Sequence, residues 1–154
     1  MAGFLYVDAV ADAAHPSAMK HLLTILCTIT ALLLGAAEAR SADLEKGWDA
    51  YERGDYAAAL QEFRPLAEQG DDIAQFSLGQ MYYEGQGVAR DYVQAVEWYR
   101  KAAEQGYARA QYNFGLKYHK GEGKTQDYLQ AAAWFRKAAR QEYAAAQLIF
   151  GLMH

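Results

Sequence analysis

The chain has 154 residues, with 15 Lys and Arg against 19 Asp and Glu, a net charge of −4 and one cysteine. Apolar residues make up 53% of it, including 12 Tyr, 6 Phe and 3 Trp, so a packed core is available and disorder over most of the length is excluded. The acidic balance gives no basis for nucleic-acid binding, and a lone cysteine makes neither an internal disulfide nor a thiolate metal site.

Residues 1–18 carry Asp8 and Asp12 and no Lys or Arg, the wrong charge for the start of a leader. Met19-Lys20-His21 suits such a start, so 1–18 reads as an extension from an upstream initiation site. Leu22 to Leu34 is an apolar run broken only by Thr24, Cys27, Thr28 and Thr30, and Gly35-Ala36-Ala37-Glu38-Ala39 follows it. A basic start, an apolar middle and a small-x-small exit compose a secretory signal, with cleavage expected after Ala39. The run alone is shorter than the ~20 residues of a membrane span; a retained anchor is the alternative. The expected product is exported, periplasmic or secreted, has no membrane span, and keeps 14 basic and 16 acidic residues and no cysteine.

From residue 40 onward a repeat organises the chain. Ala74-Gln75, Ala110-Gln111 and Ala146-Gln147 are 36 residues apart, as are Gly79, Gly115 and Gly151. Aligning 74–109 with 110–145 gives 18 identities in 36 positions, among them Gly85/Gly121, Gly87/Gly123, Asp91/Asp127 and Trp98/Trp134.

Each unit reads as two helices. Ala74, Leu78, Met81 and Tyr82 recur at the spacing of one helical face, and Gly85-Gln86-Gly87 ends that helix. Asp91 begins the next as N-cap, with Gln94 as capping-box partner, and Asp127 with Gln130 repeats the arrangement. Tyr92, Ala95, Tyr99 and Ala102 form the expected buried stripe, widened by Trp98 and Ala103. Gly106 closes the helix, whereas Glu142 holds the same position one unit on and predicts a weaker cap. A shorter first unit precedes these, because Ala59, Phe63, Ala67 and Gly70 fall 36 residues before Ala95, Tyr99, Ala103 and Gly106. Seven helices are predicted, at about 43–53, 56–69, 72–84, 91–105, 108–120, 127–141 and 144–153.

The pattern Ala-Gln-x-x-Leu-Gly-x-x-Tyr, then Gly-x-Gly, then Asp-Tyr-x-x-Ala-x-x-Trp-Tyr-Arg-Lys-Ala-Ala-Glu-Gln-Gly resembles the Sel-one-like repeat, the longer-looped relative of the tetratricopeptide repeat. The opening unit, with Gly54 alone in its turn, is more similar to a tetratricopeptide repeat. The resemblance implies an all-α fold, an α/α solenoid of helix-turn-helix repeats over 40–154 with units at about 43–71, 72–107, 108–143 and a partial 144–154. It also implies that the first helix of each pair lines a concave groove. Those positions are Trp48, Tyr51 and Glu52, then Phe76, Gln80, Tyr83 and Glu84, then Arg109, Tyr112, Leu116, His119 and Lys120. Aromatic walls, acidic at one end and basic at the other, suit an extended peptide or a partner's helix. Some proteins of this family carry paired cysteines in each repeat; this chain has none there.

Other chemistry finds little support. Gly121-Glu122-Gly123-Lys124-Thr125 ends like a phosphate loop, but Tyr118 stands where the motif needs glycine and a helix replaces the strand. Ser17-Ala18-Met19-Lys20 matches a Ser-x-x-Lys pattern without its companion motifs. His119 and His154 have no second ligand at metal spacing, and no carboxylate pair stands out as acid and base. No cofactor, metal or catalytic residue is expected. The sequence therefore points to a non-enzymatic scaffold that binds another protein. The alternatives are an envelope hydrolase framed on the repeats and a structural subunit of an envelope or polysaccharide-export assembly. Leu148, Ile149, Phe150, Leu152 and Met153 crowd the last helix, which predicts self-association or docking through 144–153.

Overall fold

The computed structural model describes residues 16–152, and over these the chain is helical with no strand. Seven helices follow in order: α1 (Pro16–Glu52), α2 (Tyr56–Glu68), α3 (Asp72–Glu84), α4 (Tyr92–Glu104), α5 (Ala108–Lys120), α6 (Tyr128–Arg140) and α7 (Ala144–Leu152). Residues 1–15 of the expected extension, Met153 and His154 lie outside the described residues, as do the side chains of Ser17, Lys20 and Phe150. The chain divides into two units between Ser41 and Ala42, two residues beyond the expected boundary.

In the first unit the apolar run is helical and open. Leu22, Leu23, Ile25, Leu26, Ile29 and Leu32 are each half or more exposed. The hydroxyls of Thr28 and Thr30 donate back to carbonyls of Ile25, Leu26 and Cys27, so the threonines add little polarity to this surface. Sequence patterning separates this run from a helix beginning near residue 43, whereas α1 spans both. The connecting Gly35-Ala36-Ala37-Glu38-Ala39-Arg40 is alanine-rich, and one glycine costs only about 1 kcal/mol of helix propensity. The segment His21–Glu52 is long and apolar enough to cross a membrane. The apolar run taken alone is not.

The second unit is a stack of hairpins, built by one recurring contact. Phe63, Tyr99 and Phe135 are 0, 2 and 0% exposed. Each ring packs against a glycine of the hairpin's first helix. A Cβ on Gly47, Gly79 or Gly115 would sit 2.5, 2.7 or 2.8 Å from its ring. The glycines trade about 1 kcal/mol of helix propensity for burial of an aromatic ring, worth about 1.5–3 kcal/mol.

A second device joins hairpin to hairpin. The buried Gln75 donates to the Ala67 carbonyl at the end of α2 and accepts from Gln105 at 2.7 Å. Gln111 repeats this, donating to Ala103 and accepting from Gln141 at 2.9 Å. The recurring Ala-Gln pair is thus an alanine packed at 0% exposure and a glutamine that ties three successive helix ends together.

The Gly-x-Gly loops serve the stacking as well as the turn. Gly85 and Gly121 end α3 and α5 in left-handed conformation, at φ 74° and 73°. Gly87 and Gly123, at φ 70° and 74°, rest on the backbone of the preceding hairpin, against the carbonyls of Tyr56 and Tyr92. Sequence patterning assigns these glycines to the turn alone.

Two expectations need correction. The capping box is half formed: Asp91 and Asp127 accept from the Gln94 and Gln130 amides, but their own amides donate to the Tyr82 and Tyr118 carbonyls, leaving the glutamine side chains exposed. Closing the loop back onto the first helix satisfies the donor that a capping box would have used. The aromatic stripe is also less buried than its register predicts. Tyr92 and Tyr128 are exposed, and Trp98 and Trp134 are half-buried beneath Lys101 and Lys137, 3.9 and 3.8 Å from their rings. Tyrosines in the first turn of α4 and α6 lie at the edge of the stack, where a lysine stem or solvent replaces a neighbouring helix.

Candidate functional site

Successive first helices leave a pocket of about 410 Å³ between them. On α3, Phe76, Gln80, Tyr83 and Glu84 stand at i, i+4, i+7 and i+8, one helical face turned into this space. The C-terminal part of α1 contributes Trp48 and Tyr51, α5 contributes Arg109 and Asn113, and Tyr99 of α4 is part of the lining.

Seven of the residues that the family resemblance nominates line this pocket: Trp48, Tyr51, Phe76, Gln80, Tyr83, Glu84 and Arg109. Glu52, Tyr112, Leu116, His119 and Lys120 are not part of this lining. Tyr112 packs on Phe135 and Tyr143, with ring centroids 5.7 and 5.4 Å away, and exposed His119 stands edge-on to Tyr128. Tyr112 and His119 thus pack on the second helix of their own hairpin, and Tyr112 also on Tyr143 in the turn that follows it. Phe76, at 4% exposure, is as much core as wall.

Two of the tyrosines have their hydroxyls already engaged. Tyr51 donates to Oε1 of Gln86 at 2.7 Å and Tyr83 to Oε2 of Glu122 at 3.1 Å, each reaching the middle residue of the next Gly-x-Gly loop. Their hydroxyls are therefore committed within the protein. Tyr83 is further held by Lys117, whose Nζ lies 3.4 Å from its ring centre and 2.7 Å from Glu122. Burial pushes the Lys117 ammonium below its ordinary range, while the hydrogen bond from Lys117 holds Glu122 below the usual carboxylate value.

The charges in the pocket are unpaired. Among the described residues no cation lies within ion-pair distance of the Glu84 carboxylate, which accepts only from Gln80 at 3.3 Å. Among the described residues no carboxylate lies within ion-pair distance of Arg109, and its guanidinium sits 5.7 Å from the Phe76 ring centre. The acidic and basic groups thus line one pocket, where sequence reading places them at opposite ends of a groove.

Sequence reasoning misses Tyr99 and Asn113. The stripe pattern assigns Tyr99 to the core, correctly for its ring. The available signal was the register itself, since Phe63 and Phe135 occupy the equivalent positions and only Tyr99 carries a hydroxyl. Asn113 aligns with Ser77 and gave no signal; its Nδ2 donates to the Arg109 carbonyl at 2.9 Å.

Elsewhere the surface is already committed. A broader depression of about 640 Å³ runs along the turn 105–109 with Asp72, Gln141 and Tyr143, but its glutamines are bonded in the inter-hairpin ladder. The loop resembling a phosphate cradle is filled: Gly123 packs on the Tyr92 backbone and Lys124 folds 3.4 Å from the Tyr118 ring centre. Among the described residues no group of three or more His, Cys, Asp or Glu is placed to hold a metal.

The Sel1 repeat family model matches residues 72–107 and 108–143, so the second and third hairpins are Sel1 repeats. Among solved structures, a Sel1 repeat protein from Oxalobacter formigenes is 37% identical with a TM-score of 0.69, over 71% of this chain and 45% of that one. A protective antigen present in uropathogenic Escherichia coli strains, displaying an SLR fold, is 41% identical with a TM-score of 0.67, over 75% of this chain and 26% of that one. Helicobacter pylori cysteine rich protein B, at 21% identity and TM-score 0.59, covers 73% of this chain and 95% of that one and shares the fold. This chain spans less than half the length of the first two. No curated protein matches it.

Proposed function

We propose that this Sel1-repeat chain is an exported scaffold that binds an extended peptide segment of another protein in the pocket between its first helices. The observation that carries the reading is the convergence of five aromatic rings with Asn113 and the unpaired Glu84 and Arg109 on one concave face. Rigid rings supply contact area at low entropic cost, and the few polar groups fix orientation. Repeat hairpins whose own hydrogen bonds close from unit to unit form a preorganised wall, so a guest does not have to order it.

Cross-linking in cells tests this, comparing wild type with a Gln80→Ala/Arg109→Ala/Asn113→Ala variant. These residues lie on the pocket wall and none is in the hydrophobic core, unlike Phe76, whose truncation unfolds as well as unbinds. A defined partner is expected to be captured by wild type and lost by the variant. The same partner captured equally by both removes the pocket from the interaction.

Export is supported by the exposed apolar face of α1 and the small-residue exit at Ala37-Glu38-Ala39. N-terminal sequencing of the mature protein distinguishes a chain starting at Arg40 from one that keeps α1 as an anchor. Self-association through α7 is supported by Leu148 and Leu152, 68 and 79% exposed. Leu148→Glu is expected to shift the sedimentation of any oligomer to that of the monomer.

A further inference from the structure

One tyrosine hydroxyl bears on what the guest carries. Tyr99 is 2% exposed, yet its oxygen has no hydrogen-bond partner among the described residues, and the residue lines the pocket. It is not a wholly buried polar atom, since none among the described residues is left unpaired, and the pocket that Tyr99 lines is the space open to it. Packing does not require it. Phe63 and Phe135 fill the same place in the neighbouring hairpins at 0% exposure, against Gly47 and Gly115 as Tyr99 lies against Gly79. A hydroxyl that the core does not need and no protein group satisfies is a group held for a ligand.

The surroundings select the ligand's charge. The rings of Trp48 and Tyr51 line the pocket, and aromatic faces carry negative potential; the Tyr83 ring is already engaged by Lys117. Glu84 adds a carboxylate with no cation at ion-pair distance and lines the pocket together with Tyr99 and Tyr51, whose hydroxyls are raised above their ordinary range by burial first and by the Glu84 charge second. Arg90 approaches only the backbone carbonyl of Glu84, at 3.5 Å. Aromatic faces around an unpaired carboxylate attract a cation and repel an anion.

We propose that the pocket seats a basic side chain, Lys or Arg, of the bound peptide, its nitrogens donating to the Tyr99 hydroxyl and the Glu84 carboxylate beside the rings of Trp48 and Tyr51. This rests on the peptide-binding reading above. Arg109 and Asn113 lie on the opposite wall, where they meet the carbonyls and any acidic group that flanks the basic residue, and they set the direction in which the peptide runs.

The test selects binders to the full chain from a random-peptide library and measures their affinities by fluorescence anisotropy. Dependence on the pocket is read separately, with the Gln80→Ala/Asn113→Ala variant. Pocket-dependent peptides are expected to share one Lys or Arg, and replacing it with norleucine weakens binding about tenfold or more. Tyr99→Phe is expected to weaken the basic peptides severalfold while melting no lower than wild type, because phenylalanine fills this place in the other hairpins. On Tyr99→Phe/Glu84→Gln the norleucine replacement costs much less, the non-additivity of groups in contact. Pocket-dependent peptides with no shared basic residue, or an affinity untouched by Tyr99→Phe, overturn the inference and leave the peptide site standing. If no selected peptide depends on the pocket, both readings fall.

Discussion

The first and second junctions between hairpins have the same geometry and different chemistry. At both, a tyrosine of one hairpin reaches the middle of the next Gly-x-Gly loop, and the loop's second glycine lies on the backbone at the start of the earlier hairpin's second helix. At the first junction the partners are neutral: Tyr51 meets Gln86, and Met81, fully buried, fills the space below. At the second, Tyr83 meets Glu122, and Lys117, 3% exposed, takes the place of Met81. The tether and the glycine are therefore fixed by shape, while the middle of the loop varies in charge provided that the residue beneath it varies with it. An ion pair has been fitted into a frame that a thioether fills equally well.

If shape is the common element, Gly87→Ala and Gly123→Ala should hurt alike. Each adds a Cβ at a positive φ and drives it into a carbonyl, with a contact of 2.7 Å at Tyr56 in the first case. The left-handed penalty of about 1–2 kcal/mol and overpacking of about 1–3 combine to a loss of about 2–5 kcal/mol at either junction. Denaturant unfolding checks this, and a loss at one junction alone breaks the comparison.

Charge should separate the two junctions. Glu122→Gln leaves the Lys117 ammonium buried without its counter-charge. Removing one partner of a buried pair costs about 3–5 kcal/mol, and the 29% exposure of the Glu122 side chain reduces this to about 2. Gln86→Glu should not stabilise the first junction, because no cation waits beneath it. Lys117→Met/Glu122→Gln rebuilds the first junction at the second and is expected to recover the loss and more. The pH dependence follows from the direction of the shift. Glu122 is depressed below the ordinary carboxylate value of 4.5, so its stabilisation is complete above that value and disappears as the pH falls through the folded-state value. Thermal melts taken downward from pH 5 should lose this increment in wild type and lack it in the double variant.

The difference between the junctions also marks how much the sequence discloses. Helices, turns and the caps at Asp91 and Asp127 were legible because each rests on local chemistry: both aspartates accept from an amide two or three residues on, as Asp55 and Asp71 do in the structure. The first-helix face was legible only through the family resemblance, which the 36-residue register carries from one hairpin to the next, and seven of the nominated residues share a pocket. What was not legible depends on contacts between hairpins. The role of Gly87 and Gly123 as spacers involves carbonyls 31 residues earlier, a distance unrelated to the repeat. Tyr99 is hidden for the opposite reason, since its ring obeys the repeat so well that the extra hydroxyl passes as core. Lys117 reads as a solvent-facing lysine until Glu122 is placed above it.

The smallest expected effect concerns the turns that link one hairpin to the next. Two close on glycine, Gly70 at φ 96° and Gly106 at φ 101°, and the third closes on Glu142 at φ 62°. An L-residue is poorly accommodated near 100°, so at the third turn the backbone has moved into the left-handed well, the nearest that glutamate tolerates. Glu142→Gly relieves about 1–2 kcal/mol of strain but loosens the unfolded chain by about 0.4–1. Relief of strain outweighs the added chain freedom, and a gain of about 0.5–1 kcal/mol is expected. Gly106→Ala loses more than this although a Cβ there meets nothing within 4 Å, because its cost is entirely backbone conformation. Equal and opposite effects at the two turns would mean that side-chain contacts, rather than φ, decide how these hairpins are linked.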